Sequence, residues 1–300
     1  MRRAAALGTA FWLLLAANTD ARDFQARCEA LLGARAGAIV ACEIESGRLL
    51  ALVNPATAEA PLPPGSAFKP VTALAALAGG FGAAERLTCR GAYAPLAGGR
   101  ALPCWQPGGH GRLTLEEAIA RSCNVAFYQL GERVGSRAIL AQAAEAGLGA
   151  APGWRKRIGP EAAPALAVGE GLSIAVTARQ LAGLACAIAS DGRVRRVAWA
   201  PEAPGGAIAE ASDLARVREG LRLAALFGSA RGAAAPGLSV AGKTGTATYT
   251  DGSNRTYGWF VGYMPAERPR VAVVVLLKEA NGFAGAAPLA GRVFAAYEPE

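Results

Sequence analysis

Strand-like runs occupy both ends of this 300-residue chain and helical patterns fill its middle. That ordering restricts the fold more than any other feature. Near the start, GAIVACEI (37–44) and RLLALV (48–53) are joined by Glu45-Ser46-Gly47 and read as a hairpin. Near the end, LSVAGKTGTA, TYGWFVGYMP and RVAVVVLLKE read as three further strands, with the turn TDGSN between the first two. Between them lie helical segments. VTALAALAGG ends in glycines, and TLEEAIARS opens with Thr114 and Glu117 in capping-box spacing. NVAFYQLGERVG and SRAILAQAAEAGLG each close on Gly. TARQLAGLACAIAS (177–190) is another, and AAPLAGRVFAAY closes the chain. The economical architecture is α+β: one antiparallel sheet built from N- and C-terminal strands, with a helical region at about 70–230 inserted between them. No repeat or clear linker divides residues 22–300, which read as one domain.

Residues 1–21 are expected to be an export signal. Met1-Arg2-Arg3 precedes a 14-residue apolar run over 4–17, and small residues follow near Thr19-Asp20-Ala21. The run is shorter than the ~20 residues that span a bilayer. A short uncleaved anchor, associating with the membrane through 4–17, is the alternative. The body of the chain is then expected outside the cytoplasm, in the periplasm or on the outer face of the membrane. A net charge of +8 suits an anionic surface. Arg155-Lys156-Arg157 and Arg193–Arg196 lack the interleaved aromatics of a base-stacking surface, so no nucleic-acid partner is expected. Six cysteines show no CxxC spacing and His110 is the single histidine, which gives a zinc site little support. No metal or other cofactor is expected. Cys89 and Cys104 flank a Gly-rich segment and read equally as a disulfide or as two small buried thiols.

Lysine is the rare residue here. Of 31 basic residues, only Lys69, Lys156, Lys243 and Lys278 are Lys. Arg serves wherever a fixed charge suffices, whereas Lys can shed its proton. Residues 237–244 match a phosphate-binding G-x-x-x-x-G-K-[ST] pattern, but LSVA looks like strand and no helix pattern follows Thr244. Read as an edge strand, AGKTGTA offers Lys243, Thr244 and Thr246 to a ligand carboxylate across an open glycine face. Ser66 and Lys69 sit three apart at a helix start, on one face. Ser122-Cys123-Asn124 lies between two helices, and Lys243-Thr244-Gly245 lies on a late strand. Three short motifs in this order and context form a specific signal for penicillin-binding proteins and class A β-lactamases.

From about residue 36 onward the chain resembles the transpeptidase domain of penicillin-binding proteins, class B above all. GAIVACEIESGRLLALVNP, CWQPGGHGRLTLEEAIARSCNVAFYQLG, WFVGY (259–263) and AAPLAGRVF carry the likeness. GEGLSIAVTARQLA departs from the usual segment, with Glu170 for Gln and Ala178 for Pro. The resemblance implies a β-lactamase/transpeptidase-like fold. Larger members carry a pedestal or glycosyltransferase domain first, and with fewer than twenty residues between the leader and the first strand a transpeptidase domain standing almost alone is expected. It implies Ser66 as acylated nucleophile, Lys69 as its base, Ser122 as proton relay and Asn124 as a contact to substrate backbone. Lys243, Thr244 and Thr246 would hold a terminal carboxylate beside Gly245, and the N–H groups of Ser66 and Thr246 would form an oxyanion hole. The implied substrates are D-alanyl-D-alanine peptide stems of peptidoglycan, with β-lactams as covalent inhibitors and a cell-wall synthesis protein as partner. Transpeptidation is the reading. Carboxypeptidase, serine β-lactamase and non-catalytic sensor are the rivals; Ser122-Cys123-Asn124 argues against a β-lactamase that uses a modified lysine.

Overall fold

The computed structural model describes residues 22–298, apart from 97, 99, 149–158, 172–173 and 201. The leader over 1–21 and the basic cluster at 155–157 lie outside the described residues. At its centre is a five-stranded antiparallel sheet. Its strands are β1 (Gly37–Glu43), β2 (Leu49–Val53), β7 (Ala241–Thr248), β8 (Thr256–Met264) and β9 (Val271–Lys278), in the order β2-β1-β9-β8-β7. The two ends of the chain therefore meet at the pairing of β1 with β9, where Val40 faces Val274 and Gly37 faces Leu277.

β9 reads VAVVVLLK without alternation because both of its faces are covered. Val271, Val273, Val275 and Leu277 pack into a cluster with α1 (22–32) and α9 (Ala287–Ala295). Ala272, Val274 and Leu276 face the opposite cluster with α7 (Ala178–Ala189) and the helical region. Phe24, Cys28 and Leu32 recur every four residues on α1 and bury one stripe on the sheet. α1 has no counterpart among the sequence expectations.

The helical region comprises α3 (Lys69–Ala78), α4 (Leu115–Ala120), α5 (Asn124–Glu145), α7 and α8 (Ala211–Leu226), with the short α2 (Pro55–Ala58) and α6 (Ala163–Ala167). Thr114 caps α4 and Thr177 caps α7, each in a complete capping box with Glu117 and Gln180. α5 breaks at Gly135, which stands at φ 77°, so its two halves match the two helices expected from sequence. Two small ribbons lie above it: β3 (Leu87–Cys89) with β6 (Gly111–Leu113), and β4 (Ala92–Tyr93) with β5 (Leu102–Pro103). Strand continues through Lys243 and Thr244 to Thr248, so the phosphate-loop pattern at 237–244 opens no helix and is not a nucleotide cradle. No helix among the described residues is long and apolar enough to cross a membrane.

Candidate active site

PGSAFKP folds as one 3₁₀ turn, Gly65–Phe68, running straight into α3. Pro70 fits the first turn of α3, where its missing N–H costs nothing. Ser66 thus sits at a helix N-terminus, where backbone N–H groups lack intrahelical acceptors. Its hydroxyl lines a cleft of about 830 Å³ and has no hydrogen-bond partner among the described residues.

Lys69 is fully buried one turn further on. Its Nζ donates to Ser122 O at 2.7 Å, Asn124 Oδ1 at 2.7 Å and Ser122 Oγ at 3.2 Å. It does not donate to Ser66, although the spacing along α3 allows that reach. Burial lowers its pKa to about 8, while the Cys123 and Cys104 thiols and Glu170 work in the opposite sense. Lys243 is buried as completely. Its Nζ donates to Ser122 Oγ at 2.8 Å, Thr244 O at 2.8 Å and Ser229 Oγ at 3.5 Å. Burial, and then the charge of Lys69, hold its pKa well below the ordinary lysine value. The sequence reading aimed Lys243 at a carboxylate in the cleft. Strand alternation instead puts it on the face of Gly245, toward the Ser66 turn and Ser122. One hydroxyl oxygen therefore receives two buried amines, and like charges this close disfavour both being protonated.

Ser122 holds this position at a cost. It adopts φ 52°, and Cys123 N–H donates to Ala118 O at 3.0 Å, closing α4 with a Schellman turn. Glycine is the usual residue there, and a side chain costs about 1–2 kcal/mol. A strained serine whose hydroxyl collects two lysines points to use of that hydroxyl. Asn124 follows as the first residue of α5, with Cys123 as N-cap.

β7 forms the free edge of the sheet against the Ser66 turn. The approach is close enough that a Cβ on Gly245 would lie 2.4 Å from Pro64 O and 2.9 Å from Ala67 N. Thr244 and Thr246 line the cleft on either side of Gly245. Thr244 Oγ1 donates to Ser229 O at 3.3 Å, and Thr246 Oγ1 accepts from Gly282 N–H at 3.1 Å. Arg121 and Arg231 stand at the cleft over the rings of Phe227 and Phe283, at 5.7 and 4.9 Å. Glu170 is a carboxylate in the same cleft. It stays open to solvent, yet the protein around it raises its pKa against the pull of Lys69.

The penicillin-binding protein transpeptidase domain model matches residues 37–296. The chain belongs to that family. This chain is 30% identical to the peptidoglycan D,D-transpeptidase PbpA of Mycobacterium tuberculosis, over 87% of its own length and 66% of that relative. It thus spans less than two thirds of the relative's length. It is similar to Pseudomonas aeruginosa PBP2 in complex with WCK 5153, with a TM-score of 0.81 and 27% identity over 91% of this chain and 76% of that one. The penicillin G acyl-enzyme of penicillin-binding protein A from M. tuberculosis gives a TM-score of 0.77 at 27% identity, over 91% and 77% of the two chains. The expected α+β fold, with its antiparallel sheet, is the fold of these domains.

Sequence reasoning missed the other wall of the cleft. α8 carries Phe227, Gly228 and Ser229 into it. The signal was present in Leu214, Val217, Leu221 and Ala224, which recur at helical spacing and are buried, but the charges between them obscured it. The cysteine expectations also need correction. All six thiols are free, so Cys89 and Cys104 form no disulfide. Cys42 on β1 and Cys186 on α7 face each other with sulfurs 3.4 Å apart. Cys104 lies 4.0 Å from Cys123 and 3.5 Å from His110 Nδ1. Cys89, Cys104, His110 and Cys123 form one cluster of groups able to ligate a metal, which their spacing in the sequence did not announce.

Proposed function

We propose that this chain is an exported serine D,D-transpeptidase acting on the D-alanyl-D-alanine ends of peptidoglycan stems through an acyl-enzyme on Ser66. The observation that carries the reading is the Ser122 hydroxyl held between two fully buried amines beside the cleft that Ser66 lines. Neutral Lys69 swings from Asn124 to Ser66, one turn away, and takes its proton as Oγ attacks the carbonyl carbon between the two D-alanines. The N–H groups of Ser66 and Thr246 receive the oxyanion. The C–N bond then breaks. Lys69 returns its proton to Ser122 as Ser122 gives its own to the departing D-alanine amine, so no net charge is left in the buried site. An acceptor amine attacks the ester and loses a proton through Ser122 and Lys69 to Ser66 Oγ, forming the cross-link as the C–O bond breaks and freeing Ser66. Asn124 contacts the substrate backbone. Thr244 and Thr246 hold the terminal carboxylate, with Arg231 at the cleft mouth and Lys243 behind them. The leader at 1–21 would place this reaction outside the cytoplasm.

Membership of the family and the likeness to a penicillin G acyl-enzyme support the reading. The test is covalent labelling of the purified chain by a fluorescent penicillin, followed over time beside Ser66→Ala. A lasting label that vanishes in the variant is expected. A label unaffected by Ser66→Ala would refute the assignment. Hydrolysis is the second reading, as carboxypeptidase or β-lactamase, because Glu170 places a carboxylate with a raised pKa in the cleft. As a β-lactamase it predicts a label lost within seconds, whereas a carboxypeptidase would keep the label and release D-alanine from the peptide without an acceptor amine.

A further inference from the structure

Six cysteines and one histidine are all that this chain has of those residue types. Three of the cysteines and the histidine converge on one point, with ligand atoms of Cys89, Cys104, His110 and Cys123 all within 4.8 Å of one another. The cysteines are fully buried or nearly so. A tetrahedral zinc ion with Zn–S of about 2.3 Å and Zn–N of about 2.0 Å places its sulfurs about 3.8 Å apart and sulfur about 3.5 Å from nitrogen. Cys104 Sγ lies 4.0 Å from Cys123 Sγ and 3.5 Å from His110 Nδ1. Small side-chain rotations close the remaining difference.

The backbone around these residues builds the cluster. Cys89 ends β3 and pairs with Gly111 of β6, which brings His110 alongside. Gly109, at φ 77°, packs so tightly that a Cβ there would meet Cys89 O at 2.3 Å. Cys104 N–H donates to Gly91 O at 2.8 Å, tying its loop to the same ribbon. Cys123 Sγ accepts from Ala126 N–H at 3.4 Å at the start of α5. Trp105 packs edge-on against His110 with centroids 5.0 Å apart and donates Nε1–H to Ser122 O at 3.2 Å. His110 Nε2 is buried without a hydrogen-bond partner among the described residues. The ring's one polar contact among them is a cysteine sulfur.

We propose that Cys89, Cys104, His110 and Cys123 bind one structural zinc ion directly behind the Ser122–Asn124 turn. Three sulfurs and one nitrogen form a soft set that suits zinc, and four protein donors close the coordination sphere. The ion would fasten the β3–β6 ribbon, the Cys104 loop and the start of α5 to one another. Cys123 stands between the two polar residues of the turn, so the same bond would hold Ser122 in its positive-φ conformation. The inference stands on the cluster alone and does not depend on the reaction proposed above.

The test is metal analysis of the purified full chain under reducing conditions, with cobalt(II) exchanged for the native ion. One zinc per chain is expected, and the cobalt form should show thiolate-to-cobalt charge transfer and the intense visible bands of tetrahedral cobalt. Cys104→Ser and His110→Ala should each weaken zinc affinity by about 100-fold or more. Cys28→Ser, on α1 and outside the cluster, should retain full zinc. The spectrum of the unaltered chain decides the matter if a variant fails to fold. Free thiols that take up no zinc from excess, a weak octahedral cobalt spectrum, or a Cys104–Cys123 disulfide in metal-free protein would each overturn the proposal.

Discussion

Replacing Gly245 by alanine tests whether the edge strand must touch the Ser66 turn for the site to act. The added Cβ would stand 2.4 Å from Pro64 O and 2.9 Å from Ala67 N, and both are backbone atoms that no side-chain rotation moves. Restoring ordinary contact requires the strand and the turn to separate by about 1 Å. Overpacking of that kind costs about 1–3 kcal/mol of stability. The functional effect should be larger. Thr246 is the next residue, and a displacement of about 1 Å in a positioned group can slow a reaction by about 100-fold. Acylation would be followed with a fluorescent penicillin, beside thermal unfolding of the same samples. Gly108 supplies the control, because a Cβ there meets nothing within 4 Å and Gly108 carries no positive φ. Gly108→Ala should therefore leave folding stability close to that of the unaltered protein. A Gly245→Ala protein that is folded and acylates at the original rate would show that Thr246 N–H contributes nothing, and the proposed oxyanion hole would fall.

Lys69→Arg should abolish labelling, by roughly 1,000-fold or more, since a guanidinium cannot serve as the base; retention of activity would exclude Lys69 from that role. In the unaltered protein Lys69 must be neutral to accept a proton, and its pKa is lowered to about 8. Acylation should therefore rise about fiftyfold from pH 6 to pH 8 and level off above, and a flat profile would contradict the assignment. Glu170→Gln should lengthen the lifetime of the penicilloyl-enzyme if the raised-pKa carboxyl guides water, read as the rate of label loss in a chase; an unchanged lifetime excludes that role. Thr114→Ala removes one half of a capping box and should lower stability by about 1 kcal/mol in chemical denaturation, without changing the acylation rate of the folded protein.

The sheet was readable because its strands are long apolar runs bounded by turn residues, and β9 is apolar on both faces because both are covered. A capping box located the start of α4, and Gly135 marked the break in α5. Ser66, Ser122, Asn124 and Thr246 were legible as motifs, and all four line one cleft. The direction of the lysines was not legible. Both Lys69 and Lys243 turn to Ser122, a contact between residues 53 and 121 positions apart in the chain that local spacing cannot encode. The cysteine cluster was hidden for a similar reason. Its donors come from a strand end, a loop, a second loop and a helix cap, so no short spacing announces them. α8 was lost among its charges, and with it Ser229 and the far wall of the cleft.

The strand order β2-β1-β9-β8-β7 also sets a timetable for folding. The β1–β2 hairpin is complete by residue 53, but the other edge of β1 waits for β9 at Val271–Lys278. During synthesis more than two hundred residues emerge while that apolar edge stands unpaired, and pairings so distant in sequence form slowly. An unpaired edge is a template for other chains. A nascent or truncated chain that stops short of β9 would thus carry Ser66 and Ser122 yet lack a closed sheet, and it should depend on chaperones to stay soluble.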